Sequence, residues 1–292
     1  MVFFVLMGGV FAQTPILANG ADVRSGAKSE IDVTNINDGY INARSRSKTS
    51  KKLVIRTSYV ELGGRQIDYR YDLNGNCDWE TYSLQSGNGK YKIDILENVD
   101  GYMYAQIQAI SVDVKYNQEN APFRVSTQNV NYVASSNAVK KAAELGEGTG
   151  TDLEKVESIY EYIVETIKYD TVKANRIVSG EIIGYLPDID DTLATSSGIC
   201  FDFSSLFAAM LRSQGIPAKL IMGYAALSPN PVYHAWNEIY IENVGWIRIR
   251  SRVYFNGKDW VRMDPTFASS NASNQKTQFL SNDKNYVKDR EY

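Results

Sequence analysis

Histidine and cysteine are scarce in this chain. Its 292 residues include one histidine and two cysteines, too few for an ordinary zinc ligand set without carboxylates, and no metal-ligand spacing accompanies them. No metal or other cofactor is expected. A basic excess is also missing: 31 Lys and Arg stand against 34 Asp and Glu, a net charge of −3, whereas a phosphate-backbone partner calls for a basic patch or stripe. Nucleic acid is therefore not an expected partner. Residues 1–21 carry no charged side chain, but their nearly all-apolar part, Met1 to Ala12, falls short of the roughly 20 residues a membrane-spanning helix needs. It has about the length of a signal-peptide core, and Val10-Phe11-Ala12 and Ala18-Asn19-Gly20 place small residues where a signal peptidase requires them, although Lys or Arg ahead of the core is lacking. Residues 1–20 thus read as a signal peptide or N-terminal hydrophobic segment, with a retained anchor as the alternative, and the location as secreted or cell surface. No internal repeat is present.

Two cysteines in an exported chain suggest a disulfide. Their contexts argue otherwise: Cys77 lies in the polar, turn-like Asn74-Gly75-Asn76-Cys77-Asp78-Trp79, while Cys200 stands at a helix start, where a thiol is reactive.

With 43% hydrophobic and 22% charged residues, the chain is ordinary globular material, long enough for two medium cores. Residues 21–52 read as a polar linker, because the basic run Arg44-Ser45-Arg46-Ser47-Lys48 is interleaved with hydroxyls and lacks apolar spacing. From 53 to 133 the period is two: Ile67, Tyr69, Tyr71 and Leu73 alternate with polar residues, as do Tyr91, Ile93 and Ile95, and then Ile110, Val112 and Val114. Gly63-Gly64, Gly87-Asn88-Gly89 and the hairpin signal Asp100-Gly101 punctuate these strands, which gives a β-sandwich-like domain. Its tyrosines fit either a carbohydrate-binding face or, as is usual for strand tyrosines, a half-buried sheet.

Residues 134–150 read as a linker ending in Gly146-Glu147-Gly148-Thr149-Gly150. The remainder, 151–292, reads as a second domain. Thr151-Asp152 opens an amphipathic helix with Val156, Ile159, Ile163 and Ile167 at helical spacing, followed by a loop-like region whose Asp190-Asp191 pair is read as solvated. A helix from Cys200 to Gln214 is closed by Gly215 and Pro217. Strands follow at 219–224, 235–241, 246–255 and 258–263, the last two joined by Asn256-Gly257. Helices followed by an antiparallel sheet make this half α+β.

Cys200, His234 and Asp264 fall in this half. A thiol, an imidazole and a carboxylate are the parts of an activated sulfur nucleophile: the base takes the thiol proton and the acid orients the base. Cys200 at a helix N-terminus gains from the positive end of the helix dipole and from unpaired N–H groups able to receive an oxyanion. His234 begins a strand on which 234, 236, 238 and 240 share a face; if that face packs on the Cys200 helix, imidazole and sulfur can meet. Each residue alone has a bland explanation, as a small buried hydrophobe, a satisfied polar group and a turn residue before Pro265. Their coincidence in one domain favours a catalytic triad.

The text around these residues resembles the transglutaminase-like superfamily, in particular its secreted bacterial members. The matching blocks are Ser197-Gly-Ile-Cys200-Phe-Asp-Phe, Met210-Leu-Arg-Ser-Gln-Gly-Ile-Pro-Ala218, Gly223-Tyr224, Tyr233-His-Ala-Trp-Asn-Glu238 and Trp260-Val-Arg-Met-Asp-Pro-Thr-Phe267, spread from about Thr151 to Ala268. The resemblance implies a papain-like core with Cys200 as nucleophile, His234 as general base and acid, and Asp264 as the orienting carboxylate. It implies acyl transfer at a carboxamide or peptide carbonyl of a protein or peptide substrate, cell-wall peptide included. Hydrolysis is favoured over the alternatives, a cross-linking transamidase and a non-catalytic surface module. The β domains and calcium sites of animal transglutaminases have no counterpart in the matching text, and no tryptophan aligns to their oxyanion-hole indole, so the second oxyanion donor is unassigned.

Overall fold

The computed structural model describes residues 20–226, 231–241, 247–248, 254–255, 261–263 and 286–292. They fall into two compact units, one holding the described residues up to Asn131 together with Glu291–Tyr292, the other Tyr132–Arg290.

The first unit is all β. Strands β1 (Val23–Ser25), β2 (Ser29–Asp32), β3 (Tyr40–Ser45) and β6 (Glu80–Ser83) form one four-stranded sheet; β4 (Leu53–Val60), β5 (Gln66–Leu73), β7 (Gly89–Asp100) and β8 (Met103–Val114) form another, in the order β5-β4-β7-β8. All pairings are antiparallel. Inward residues of both sheets, including Ile31, Ile41, Ile55, Tyr71, Tyr91 and Ile93, share one core, as two stacked sheets require. Tyr69, Tyr71, Tyr82 and Tyr91 are buried there, and Tyr292 packs edge-on against Tyr69 at 5.6 Å. These tyrosines are core, as strand tyrosines usually are.

Residues 21–52 correct the linker expectation. Their polar look hides three strands, because buried positions in them include Ser29, Asp32, Asn42 and Ser45 beside Ile31, Ile41 and Ala43, which blurs the period-two signal. Arg44 is a strand residue whose Nε donates to Glu30 at 2.8 Å and whose guanidinium lies 4.5 Å from the Trp79 ring centre. The β7–β8 hairpin forms as expected, shifted by one residue: Asp100 pairs with Met103, so Gly101, at φ 49°, takes the first central position, where only a glycine turns freely.

The second unit is α+β, with antiparallel pairing in its larger sheet and one short parallel pairing. Residues 134–150 are not a plain linker, since helix α1 (Asn137–Gly146) buries Ala138, Val139 and Ala142. Helix α2 (Asp152–Thr166) starts at a capping box in which Glu154 N donates to Thr151 Oγ1 (3.2 Å) and Thr151 N to Glu154 Oε2 (3.0 Å). The expected loop contains β9 (Lys168–Tyr169), α3 (Thr171–Val178) and α4 (Ile189–Thr195), followed by β10 (Ser197–Gly198). Asp190 is not idle in solvent: its carboxylate accepts the first N–H groups of α1, Asn137 N at 3.1 Å and Ala138 N at 2.9 Å, which have no partner inside the helix. Asp188 does the same for α4.

Helix α5 (Cys200–Ser213) is the centre of this unit, with every residue from Phe201 to Ser213 buried. It packs on α1, α2, α4 and three strands, as a helix buried on every side must. Gly215, at φ 79°, ends it, with Gly215 N donating to Arg212 O and Ile216 N to Leu211 O. Strands β11 (Ala218–Ala225) and β12 (Val232–Ile239) then pair antiparallel, within a sheet ordered β15 (Val261–Met263), β12, β11, β16 (Tyr286–Glu291). The expected strand 246–255 is in fact two short ones, β13 (Ile247–Arg248) and β14 (Tyr254–Phe255), which pair with each other. Asn256-Gly257 and residues 1–19 lie outside the described residues. Among the described residues no helix is long and apolar enough to cross a membrane.

Candidate active site

Cys200 is the first residue of α5, partly exposed and a free thiol, as is Cys77. The first bond that closes the helix runs from Phe203 N to Ile199 O, so the N–H groups of Cys200, Phe201 and Asp202 precede the intrahelical ladder, as first-turn donors do.

The approach to Cys200 is set by a parallel bridge. Lys168 pairs with Ser197 and Tyr169 with Gly198; Lys168 N donates to Ser196 O (2.9 Å) and Asp170 N to Gly198 O (2.8 Å). Tyr169 therefore stands beside the residues that lead into the thiol. Burial of its hydroxyl, then the charges of Cys200, Asp170 and Asp202, push that hydroxyl up to about 12, while the residue as a whole is 44% exposed. It stays protonated, hence able to donate, on the strand paired with the residues that lead into Cys200.

Two residues after Cys200, in the first turn of α5, lies Asp202, completely buried. Its Oδ2 accepts the Ile199 N–H at 2.8 Å and the Lys173 ammonium at 3.2 Å, and its Oδ1 accepts the Tyr185 hydroxyl. Lys173 Nζ also donates to Tyr185 Oη (3.1 Å). Burial, followed by the hydrogen bond to Asp202 and its charge, holds the Tyr185 hydroxyl well above the usual tyrosine range. A side chain at position 198 would collide with Asp202, since an added Cβ lies 2.6 Å from Asp202 Cβ; glycine is needed there for space. Neither Tyr169 nor this cluster was singled out in the sequence. Asp202 had a faint signal, the one acid of α5 and in its first turn, but Lys173 and Tyr185 reach it across segments that read as loop.

His234 lies on β12, buried and paired in register with Gly223. β12 packs on α5. Asn237, on the same strand, ties β12 to α5: its Nδ2 donates to Ser204 O (2.9 Å) and Lys219 O (3.0 Å). Alternation places His234 on the same face as Trp236, their rings near-parallel at 6.4 Å, and Trp236 meets Tyr286 at 5.0 Å. Asp264 lies outside the described residues. The strand before it, β15, pairs Met263 with Asn237. No group of three or more His, Cys, Asp or Glu side chains suited to a metal occurs among the described residues.

A partly exposed cysteine that opens a buried helix, with a histidine on an antiparallel strand packed against that helix, is the layout of a papain-like cysteine-enzyme core. Residues 139–265 match the family model described as the transglutaminase-like superfamily. No curated protein matches the sequence. Similar solved structures include a candidate cysteine protease from Cytophaga hutchinsonii, at 15% identity and TM-score 0.42 over 85% of this chain and 82% of that one. Another is a candidate protease from Parabacteroides distasonis, at 12% identity and TM-score 0.29 over 72% of this chain and 61% of that one. Red sea bream transglutaminase matches at 13% identity and TM-score 0.29, over 78% of this chain and 48% of the other.

Proposed function

We propose that this chain is a secreted cysteine-dependent acyl-transfer enzyme that hydrolyses peptide or amide bonds, with Cys200 as nucleophile, His234 as base and acid, and Asp264 as the group that orients the imidazole. The observation that carries the proposal is the position of Cys200, open to solvent at the first turn of a buried helix, where the dipole favours thiolate and the turn offers free N–H donors. The thiolate adds to the substrate carbonyl carbon, forming a C–S bond and an oxyanion. The Cys200 N–H and the Tyr169 hydroxyl are the donors assigned to that oxygen. Protonated His234 gives its proton to the leaving nitrogen as the C–N bond breaks, leaving a thioester. Water then loses a proton to His234 and adds to the thioester, and cleavage of the C–S bond releases the acid and restores the thiolate. Water is the favoured acceptor because Cys200 is partly exposed. Peptides of the cell wall are candidate substrates outside the cell.

The test is incubation with a glutamine-bearing peptide and a labelled amine. Cleavage or deamidation without label supports hydrolysis, and incorporation of the amine would replace hydrolysis by transamidation. Absence of both, with Cys200 alkylated by iodoacetamide no faster than Cys77, would make the domain a non-catalytic module.

A further inference from the structure

Four carboxylates, Asp170, Asp188, Asp191 and Asp202, act on the two tyrosines beside the first turn of α5, Tyr169, paired with Gly198, and Tyr185, against Phe201 and Asp202. Asp202 is the nearest in sequence, two positions along α5 from Cys200, and it is fully buried. A buried negative charge at that place works against the helix dipole, because it disfavours a second negative charge on the sulfur. The cation that meets it is Lys173, at 3.2 Å with its side chain 21% exposed. Lys173 is held in turn by its place on α3, whose N-cap Asp170 accepts the Lys173 N–H at 2.8 Å, and by the Tyr185 hydroxyl and ring.

We propose that Lys173 is a positioning residue for the thiol chemistry: by neutralising Asp202 it lets Asp202 brace the N-terminal turn of α5 without raising the cost of a thiolate at Cys200. Asp202 supplies the brace through the Ile199 N–H, and Lys173 removes the electrostatic penalty of that brace. The pairing rests on Cys200 being the nucleophile. The other titratable groups around this turn are Tyr169 on β9, Asp170 at the start of α3, Tyr185, and Asp188 and Asp191 at the start of α4, with His234 on the packed strand β12, and none is changed in the test.

The experiment is the iodoacetamide rate at Cys200, resolved from Cys77 by mass spectrometry at mildly acidic pH, for the full chain and for K173M, K173R, D202N and K173M/D202N, with near-UV circular dichroism as the fold control. K173M leaves the carboxylate uncompensated and slows alkylation about tenfold, the effect of one close charge. K173R keeps the charge and stays within about threefold of the unaltered chain. In K173M/D202N the rate returns toward the original, and D202N alone, which keeps an acceptor for Ile199 N–H, reacts faster than the original. A purely structural Lys173 would give a double variant no better than K173M. Equal rates in K173M and the unaltered chain would overturn the proposal. Should K173M fail to fold, a D202N rate equal to or below the original overturns it instead. Cys200 reacting no faster than Cys77 before any substitution is the separate failure of the nucleophile assignment itself.

Discussion

Gly198→Ala is the most local perturbation of the site, and its cost follows from the coordinates. The new methyl group would stand 2.6 Å from Asp202 Cβ and 3.1 Å from Asp202 Oδ2, closer than two carbons can approach, and Asp202 is fixed by three donors within a buried helix start. If the backbone yields and the bonds survive, overpacking costs about 1–3 kcal/mol. If Asp202 turns away, the cap bond to Ile199 N–H is lost at about 1 kcal/mol, and a broken buried ion pair adds roughly 3–5 kcal/mol. Gly146→Ala is the matched control in the same unit: at the end of α1 its Cβ would meet nothing nearer than 3.6 Å, and replacing a helical glycine by alanine gains about 0.5–1 kcal/mol. Urea unfolding followed by the buried Trp236 reads both. For a slope of about 2 kcal/mol/M, a loss of about 2 kcal/mol lowers the midpoint by about 1 M. The alkylation rate of Cys200 should fall together with stability in Gly198→Ala only. Equal midpoints and equal thiol rates for Gly198→Ala and the unaltered chain would refute the close packing of Asp202 on residue 198.

Tyr169→Phe removes one oxyanion donor and should lower the turnover number about 10²-fold, with the Cys200 alkylation rate far less affected; unchanged turnover would remove Tyr169 from the reaction. Asn237→Ala leaves the carbonyls of Ser204 and Lys219 without this donor and should cost about 2–4 kcal/mol by urea unfolding, whereas a loss under about 1 kcal/mol would show that the side chain is not the strut between β12 and α5. Burial raises Tyr82, Tyr91 and Tyr116, and Tyr40 to about 12, so the folded state favours their neutral form. Their stabilising contribution is whole below about pH 10, the ordinary tyrosine value, and is lost as pH rises from there toward 12. A tyrosinate absorbance titration alongside circular dichroism should place part of the ionisation above pH 10, coincident with unfolding; complete ionisation near pH 10 with the fold intact would contradict it.

Local pattern determined much of this protein. The alternation of Tyr69, Tyr71 and Leu73, or of Tyr91, Ile93 and Ile95, marks strands because a pleated strand shows its two faces in turn. The Thr151–Glu154 box and Gly215 mark helix ends because unpaired backbone groups there need particular side chains or a left-handed turn. The blocks around Cys200 and His234 carried the resemblance to the transglutaminase-like superfamily, whose family model matches residues 139–265. What failed were segments whose structure depends on partners distant in the chain. Residues 21–52 read as linker because their strands bury serine, aspartate and asparagine, which only neighbouring strands make tolerable. Asp190 looked solvated until its partners, the first N–H groups of α1, were brought beside it. The same holds at the thiol: a single cysteine at a helix start is legible in sequence, but Tyr169 on the paired strand, Asp202 in the first turn of α5 and Lys173 against that carboxylate come from three segments that only the folded chain assembles, because charge and hydrogen-bond compensation act through space and leave no period in the sequence.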